Sequence, residues 1–317
     1  MFEGWTEADI PDLGGRVAVV TGGNGGLGYE TVRALAARGA HVVMASRNLD
    51  KATEACRSIE EEHPDASLEI VPLDLADLDS VARAATTIAA HEKLDVLVNN
   101  AGIMGVPERR TVQGIELQFG TNHVGHFALT AALLPLLLAA PSGRLVTVTS
   151  VARHVGRPVR SGRSLDAGRY DPWASYGRSK LANLLFAREL HRRLATAHAP
   201  VASLAAHPGL TNSELQATSV TESGGGLSQR FWHFLARTVG MSTAEGALPQ
   251  LRAATDPAAR SGELYGPRGL VRGDAVRLPL LRAALDRGEG RELWDVSEQV
   301  SGVSFDVAAM VSASRRS

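Results

Sequence analysis

Val17-Ala18-Val19-Val20-Thr21-Gly22-Gly23-Asn24-Gly25-Gly26-Leu27-Gly28 is a short β-branched run that breaks into a glycine-rich turn and then continues as a helical pattern to Arg38. A helix that starts at such a turn offers unpaired amides and the positive end of its dipole, which together suit a phosphate. In this reading Gly22 permits the tight turn, Gly26 lets backbone approach a pyrophosphate, and Gly28 allows close helix–strand packing, with Asn24 and Leu27 flanking the contact. A glycine-rich turn with no ligand is the plain alternative; the strand before it and the helix after it argue for the nucleotide.

Outward from this turn the same alternation recurs. His41-Val42-Val43-Met44-Ala45 precedes a polar helix from Asn48 to Glu62, and Leu68-Glu69-Ile70-Val71-Pro72-Leu73 precedes a helix over 78–91. Val96-Leu97-Val98 leads into a long helical region from about Thr111 to Leu138. Arg144-Leu145-Val146-Thr147-Val148-Thr149 precedes a helix over 176–194, and Val201-Ala202-Ser203-Leu204-Ala205 is a sixth run. Runs this short and apolar on both faces fit parallel strands buried under helices, joined by right-handed crossovers into a doubly wound sheet. The fold class is therefore α/β, Rossmann-type, as one domain over residues 1–317. Its core spans about 15–215 plus 244–265, with a lid insertion at about 214–243 and a C-terminal extension at about 266–317.

Composition narrows the function classes. The chain of 317 residues carries 33 Lys plus Arg against 34 Asp plus Glu, a formal charge of -1, so it lacks the basic surplus that nucleic-acid binding needs. One cysteine, Cys56, excludes an internal disulfide and a Cys-based zinc site. The start of the chain has no secretory signature, and the longest apolar stretch, Phe127 to Ala140, is short for a bilayer and carries Pro135. No stable membrane insertion and a cytoplasmic location are expected. His123, His126, His154 and His207 do not stand at zinc spacing and read as turn or packing residues, so no metal is expected.

The second strand ends in Ala45-Ser46-Arg47-Asn48. A carboxylate there would hold the ribose 2′-hydroxyl of NAD, whereas Arg47, nineteen residues past Gly28, suits a 2′-phosphate. NADP(H) is favoured and NAD(H) stays open, because an arginine there is also a natural solvated helix-start residue. Asp74-Leu75, closing the third strand, could sit against adenine, and Asp74 equally suits the N-cap of the next helix.

Tyr176-Gly177-Arg178-Ser179-Lys180 places a phenol and one of only three lysines on one helix face. A free phenol, with a pKa of about 10, is a weak base at neutral pH, and a neighbouring ammonium favours its phenolate. The pair could then act as a general acid/base on an alcohol or carbonyl. Ser150 ends the preceding strand, where a sheet delivers side chains to its ligand crevice, and could hydrogen-bond the reacting oxygen; alone it would read as a cap.

Thr21-Gly22…Gly26-Leu27-Gly28, Asn99-Asn100-Ala101-Gly102, Asn122, Ser150 and Tyr176…Lys180, in this order, resemble the short-chain dehydrogenases/reductases over about residues 15–215. Ser46-Arg47-Asn48, Thr121-Asn122-His123-Val124-Gly125-His126-Phe127, Ser179-Lys180-Leu181-Ala182-Asn183 and His207-Pro208-Gly209 are similar to its retinol-dehydrogenase-like branch. The resemblance implies that Tyr176 is the acid/base and that Lys180 lowers its pKa and binds the nicotinamide ribose. Ser150 would stabilise the substrate oxygen and Asn122 hold a water of the proton relay. Asn100, Ala101 and Gly102 would support the cofactor. Pro208 and Gly209 would flank the nicotinamide, and Thr211 or Ser213 would reach a phosphate or the carboxamide. Gly23 and Gly25 stand where relatives commonly carry Ala and Ser, which removes a side-chain phosphate contact.

Phe231, Trp232 and Phe234, after Gly224-Gly225-Gly226, suit either a mobile lid over an apolar substrate or plain packing. Gly262-Glu263-Leu264-Tyr265-Gly266-Pro267 reads as a loop near the substrate mouth, and a terminal helix is expected over 291–300. The expected activity is NADP(H)-dependent interconversion of an alcohol with its ketone or aldehyde on a moderately apolar small molecule. The rivals are a catalytically idle nucleotide-sensing scaffold and an epimerase or dehydratase. Relatives often pair through the helices that correspond to about 112–138 and 176–194, so a homodimer is possible unless the C-terminal segments cover that surface.

Overall fold

The computed structural model describes residues 4–160, 169–211, 241–280 and 286–316. Its described strands form one sheet in the order β3-β2-β1-β4-β5-β6-β7-β8. These are β1 Val17–Thr21, β2 His41–Ser46, β3 Ser67–Pro72, β4 Val96–Asn99, β5 Arg144–Val148, β6 Ala202–Ala206, β7 Leu264–Pro267 and β8 Ala275–Leu278. The strands through β7 pair in parallel, and β8 closes the edge antiparallel to β7. The order reverses between β1 and β4, and that switch opens a crevice at the carboxyl ends of the strands.

Helices cover both faces. On one side α1 Gly26–Ala36, α2 Leu49–Glu62 and α7 Thr243–Thr255 bury Val32, Leu35, Ile59 and Leu251 with Val20, Val42 and Val98 of the sheet. On the other, α3 Leu78–Ile88, α5 Gly125–Ala139 and α6 Pro172–Thr196 bury Ile88, Phe127 and Phe186 with Val19, Val43 and Leu97. The expected long helix after β4 is interrupted: a single turn α4, Leu117–Phe119, passes through a π-helical turn at Gly120–Val124 before α5. Such widened turns re-aim side chains and are frequent at functional sites.

Two expectations change in the C-terminal third. Leu264–Pro267 is not a loop but the inner strand β7, and the extension beyond residue 266 adds β8 to the same sheet. Gly266 and Pro267 hide the strand in the sequence, because both residue types are poor strand formers. The terminal helix runs longer than expected, as α8 Arg287–Ser301, and is followed by α9 Val307–Ser314. Trp294 and Phe305 pack against Phe127 of α5, with ring centroids 5.2 and 5.4 Å away, and Arg193 of α6 lies 4.1 Å over the Trp294 ring. The C-terminal extension thus packs on α5 and α6.

The stretch Leu117–Ala139 is 23 residues long and apolar enough by length and composition to cross a membrane. Shortness is therefore not what distinguishes it; 78% of its most apolar window is buried inside the fold. Most of the expected lid, with Phe231, Trp232 and Phe234, and Ser213 lie outside the described residues.

Candidate active site

At the nucleotide end, β1 delivers Thr21 to the crevice and the chain turns through Gly22 at φ +66° and Gly26 at φ +53°, a region that costs glycine little. A Cβ on Gly28 would run into the Gly22 carbonyl, so strand and helix approach as closely as the sequence implied. A Cβ on Gly23 would meet Met44 and Val32 at 2.8 Å, so the turn packs closely on β2 and α1 there. The N-cap of α1 is Gly25, which has no side chain to offer, so the first amides of the helix face the turn uncapped by any side chain. Asn24 faces β2, its Oδ1 accepting from the Ser46 hydroxyl at 3.2 Å. Leu27 is buried between α1 and α7, against Gly246. This uncapped, glycine-lined cradle fits a dinucleotide pyrophosphate.

Arg47 is exposed at the end of β2, beside the cradle, while Asn48 caps α2 by accepting from Lys51 N–H at 3.0 Å. Asp74 does not cap α3; Asp77 does, and Asp74 instead closes its own turn by accepting from Ala76 N–H at 2.9 Å. Leu75 is buried in the core under α5.

Asn100 and Ala101 are fixed from β1: both backbone amides donate to Thr21 Oγ1, at 3.0 and 2.9 Å, and the Asn100 side chain donates to Thr21 O at 2.8 Å. Gly102 leaves room behind it, since a Cβ there would stand 3.3 Å from Lys180 Nζ and 3.1 Å from Asn122 Oδ1. At the far side, Gly209 at φ +73° presses its backbone on Val271, and Pro208 precedes it half-buried. Thr211 is buried with its methyl against Gly246 of α7, so its side chain serves packing.

The chemical end is built from β5 and α6. Ser150 follows β5, caps a short 3₁₀ turn by accepting from Ala152 N–H at 3.2 Å, and hydrogen-bonds the Tyr176 hydroxyl. Lys180, one helical turn on, is buried with Nζ 5.8 Å from the Tyr176 ring centre and donates to Val148 O at 3.2 Å. An ammonium has three donors, so Lys180 fits a further hydroxyl-bearing group such as a ribose.

Burial governs the acidities here. It pushes the Tyr176 phenol up to about 12, against the pull of Ser150, and lowers Lys180 to about 8. The expected fall of the Tyr176 pKa does not appear in this geometry, because desolvation of the phenolate outweighs the favourable contact. Tyr176 is consequently a protonated phenol at neutral pH.

Asn122 lies in the π-helical turn with its amide in use: Oδ1 accepts from Ile103 N–H at 2.8 Å, and Nδ2 donates to Ile103 O and to Ser179 Oγ, both at 2.9 Å. Its side chain thereby fixes the loop after β4, beside Gly102. Its backbone carbonyl accepts from His126 Nδ1 at 3.0 Å, and His126 Nε2 meets Thr21 Oγ1 at 2.8 Å. Because a carbonyl needs a donor, Nδ1 carries the proton and Thr21 donates to Nε2. Burial lowers His126 to about 4, so this bridge stays neutral. His126, a packing residue by sequence alone, is thus a polar bridge, and its position four residues after Asn122 is the available signal. Arg153, which carries no signal in the sequence, is buried, lowered to about 10 by desolvation, and donates to Ser150 O at 2.9 Å.

The family described as short chain dehydrogenase matches residues 16–224. Retinol dehydrogenase 12 of Mus musculus is 35% identical over 302 residues, covering 95% of this chain and 90% of its own, and the Homo sapiens protein of that name is 36% identical over 298. A crystal structure of an uncharacterised Mycobacterium paratuberculosis protein superposes with a TM-score of 0.78 at 40% identity, covering 96% of this chain and 99% of its own. A Beutenbergia cavernae structure described as an NAD(P)-dependent gluconate 5-dehydrogenase, with NADP bound, gives a TM-score of 0.62 at 27% identity, covering 80% and 96%. With its glycine cradle at one end of the crevice and Ser150, Tyr176 and Lys180 at the other, the chain belongs to the short-chain dehydrogenase/reductase family, is retinol-dehydrogenase-like, and is an oxidoreductase acting on CH–OH groups.

Proposed function

We propose that this protein is an NADP(H)-dependent enzyme that interconverts an alcohol with its ketone or aldehyde on a moderately apolar small molecule, working in the cytoplasm. The observation that carries the proposal is the buried Tyr176 phenol beside the Ser150 hydroxyl, with Lys180 Nζ 5.8 Å from its ring centre. A substrate carbonyl oxygen received by those two hydroxyls would be polarised by both. A nicotinamide cofactor bound in the cradle would supply the hydride for the carbonyl carbon. Tyr176 gives its proton to the oxygen as the carbon is reduced, and the Lys180 ammonium stabilises the phenolate left behind; oxidation runs the same transfers backwards.

NADP(H) is favoured because Arg47 is exposed where a 2′-phosphate would lie and because NADP is bound in the similar Beutenbergia cavernae structure. An apolar substrate is supported by the names of the retinol dehydrogenase relatives and by the rim. Among the described residues, three of the five exposed large apolar side chains, Val155, Leu270 and Val271, sit on the segments that follow Ser150 or press on Gly209. The test is NADPH consumption with a panel of apolar aldehydes and ketones, retinal included. Turnover that disappears in Tyr176→Phe is expected, and unchanged turnover in that variant contradicts the role.

A further inference from the structure

We propose that His41, Glu69 and His91 form a binding site for one divalent transition-metal ion of the zinc type, at the opposite end of the sheet from the catalytic crevice. His41 is the first residue of β2, Glu69 the third of the edge strand β3, and His91 lies just beyond α3. The register pairs His41 with Ser67 and Val43 with Glu69, and alternation then puts His41 and Glu69 on one face. Val43 and Val71, on the same face, pack with Val81, Ala84 and Ile88 of α3. The polar trio therefore ends an apolar strand–helix seam, where His91 closes over the two strands.

The donor geometry is what a tetrahedral ion needs. His41 Nε2 and His91 Nε2 converge on one carboxylate oxygen, Glu69 Oε2, at 3.4 and 3.0 Å. All three donor atoms lie within 4.8 Å of one another. An ion with arms of about 2.0–2.1 Å separates tetrahedral ligands by about 3.3 Å, close to the two N···O separations already present. His41 Nδ1 is held by Ser67 Oγ at 2.7 Å, which fixes the ring with Nε2 aimed at the trio, as the outer partners of metal-bound histidines do. Two imidazoles and one carboxylate suit zinc over magnesium or calcium. The three side chains are between a fifth and a third exposed, which leaves the fourth position to water. Held this way, the ion would pin the edge strand β3 to β2 and to the end of α3.

The test uses untagged full-length protein and cobalt(II) as a visible stand-in for zinc. Expected are d–d bands that saturate at one equivalent, displacement by zinc, and a higher Tm in zinc. His41→Ala and His91→Ala should each weaken binding by at least about tenfold, while NADPH binding and any turnover stay unchanged. Glu69→Gln, which keeps the size of the carboxylate, should also lose the bands if the variants lacking an imidazole prove poorly folded. No saturable band, or one that persists with the same affinity in all three variants, overturns the site.

Discussion

The two halves of the crevice are built from different materials. The nucleotide half is a matter of backbone: glycines at positive φ, an uncapped helix start and amides fixed by Thr21. The chemical half is a matter of side chains taken out of water, with Tyr176, Lys180 and the Asn122–His126–Thr21 bridge all buried. Backbone shape tolerates no added volume but carries little electrostatic cost. Buried phenol, ammonium and imidazole carry a cost that their neighbours only partly offset, and that cost sets the direction of their acidities.

The sharpest way to separate the halves is Tyr176→Phe, which removes the transferable proton and leaves the cradle untouched. A loss in turnover of about 10²–10⁴-fold is expected, with NADPH affinity unchanged in a fluorescence titration. Gly28→Ala should do the reverse. Its Cβ has to displace the Gly22 carbonyl, a rigid neighbour, so denaturant unfolding should show a loss of about 1–3 kcal/mol and NADPH binding should weaken with it.

Lys180→Met breaks the comparison in a different way. Burial lowers the folded Lys180 to about 8, so carrying its charge costs stability at every pH below that value, and the cost fades as pH rises towards the unfolded value near 10.5. The variant should abolish turnover yet be more stable at pH 7, by about 2–3 kcal/mol, with the two unfolding curves converging in alkali. Val148 O keeps a donor in the variant, because Asn183 Nδ2 also reaches it at 3.0 Å. In the wild type, carbonyl reduction should be flat through neutrality and fall above about pH 8, as the ammonium that stabilises the phenolate is lost. A reduction rate that climbs through that range would contradict the role of Lys180. The smallest effect is expected at exposed Arg47: Arg47→Asp should shift the NADPH to NADH preference by about tenfold, the worth of one hydrogen bond to a charged group.

The same division explains what could be read in advance. β1 to β6 and the helices between them announce themselves because strand and helix periods alternate along the chain, and the glycine turn states its purpose by its position. β7 does not, since Leu264-Tyr265-Gly266-Pro267 has poor strand residues and takes its hydrogen bonds from β6 and β8, which are distant in sequence or unpatterned. The π-helical turn at Gly120–Val124 leaves no periodic trace, yet it places Asn122 toward Ile103 and Ser179 and His123 toward Ser297 of α8. Tyr176 and Lys180 are visible as a pair four apart, but the direction of the Tyr176 acidity depends on burial that only the packed structure provides. His41, Glu69 and His91 are separated by 28 and 22 residues along the chain, and only the β2–β3 register brings them together.

The most direct measurement is the fate of the hydride itself. With NADPH deuterated at the transferring position and a panel of apolar aldehydes and ketones, the product alcohol should carry one deuterium on its carbinol carbon, found by mass spectrometry, in wild type and not in Tyr176→Phe. NADPH that binds tightly but leaves no label in any product would contradict the assignment and leave a nucleotide-binding scaffold without catalysis.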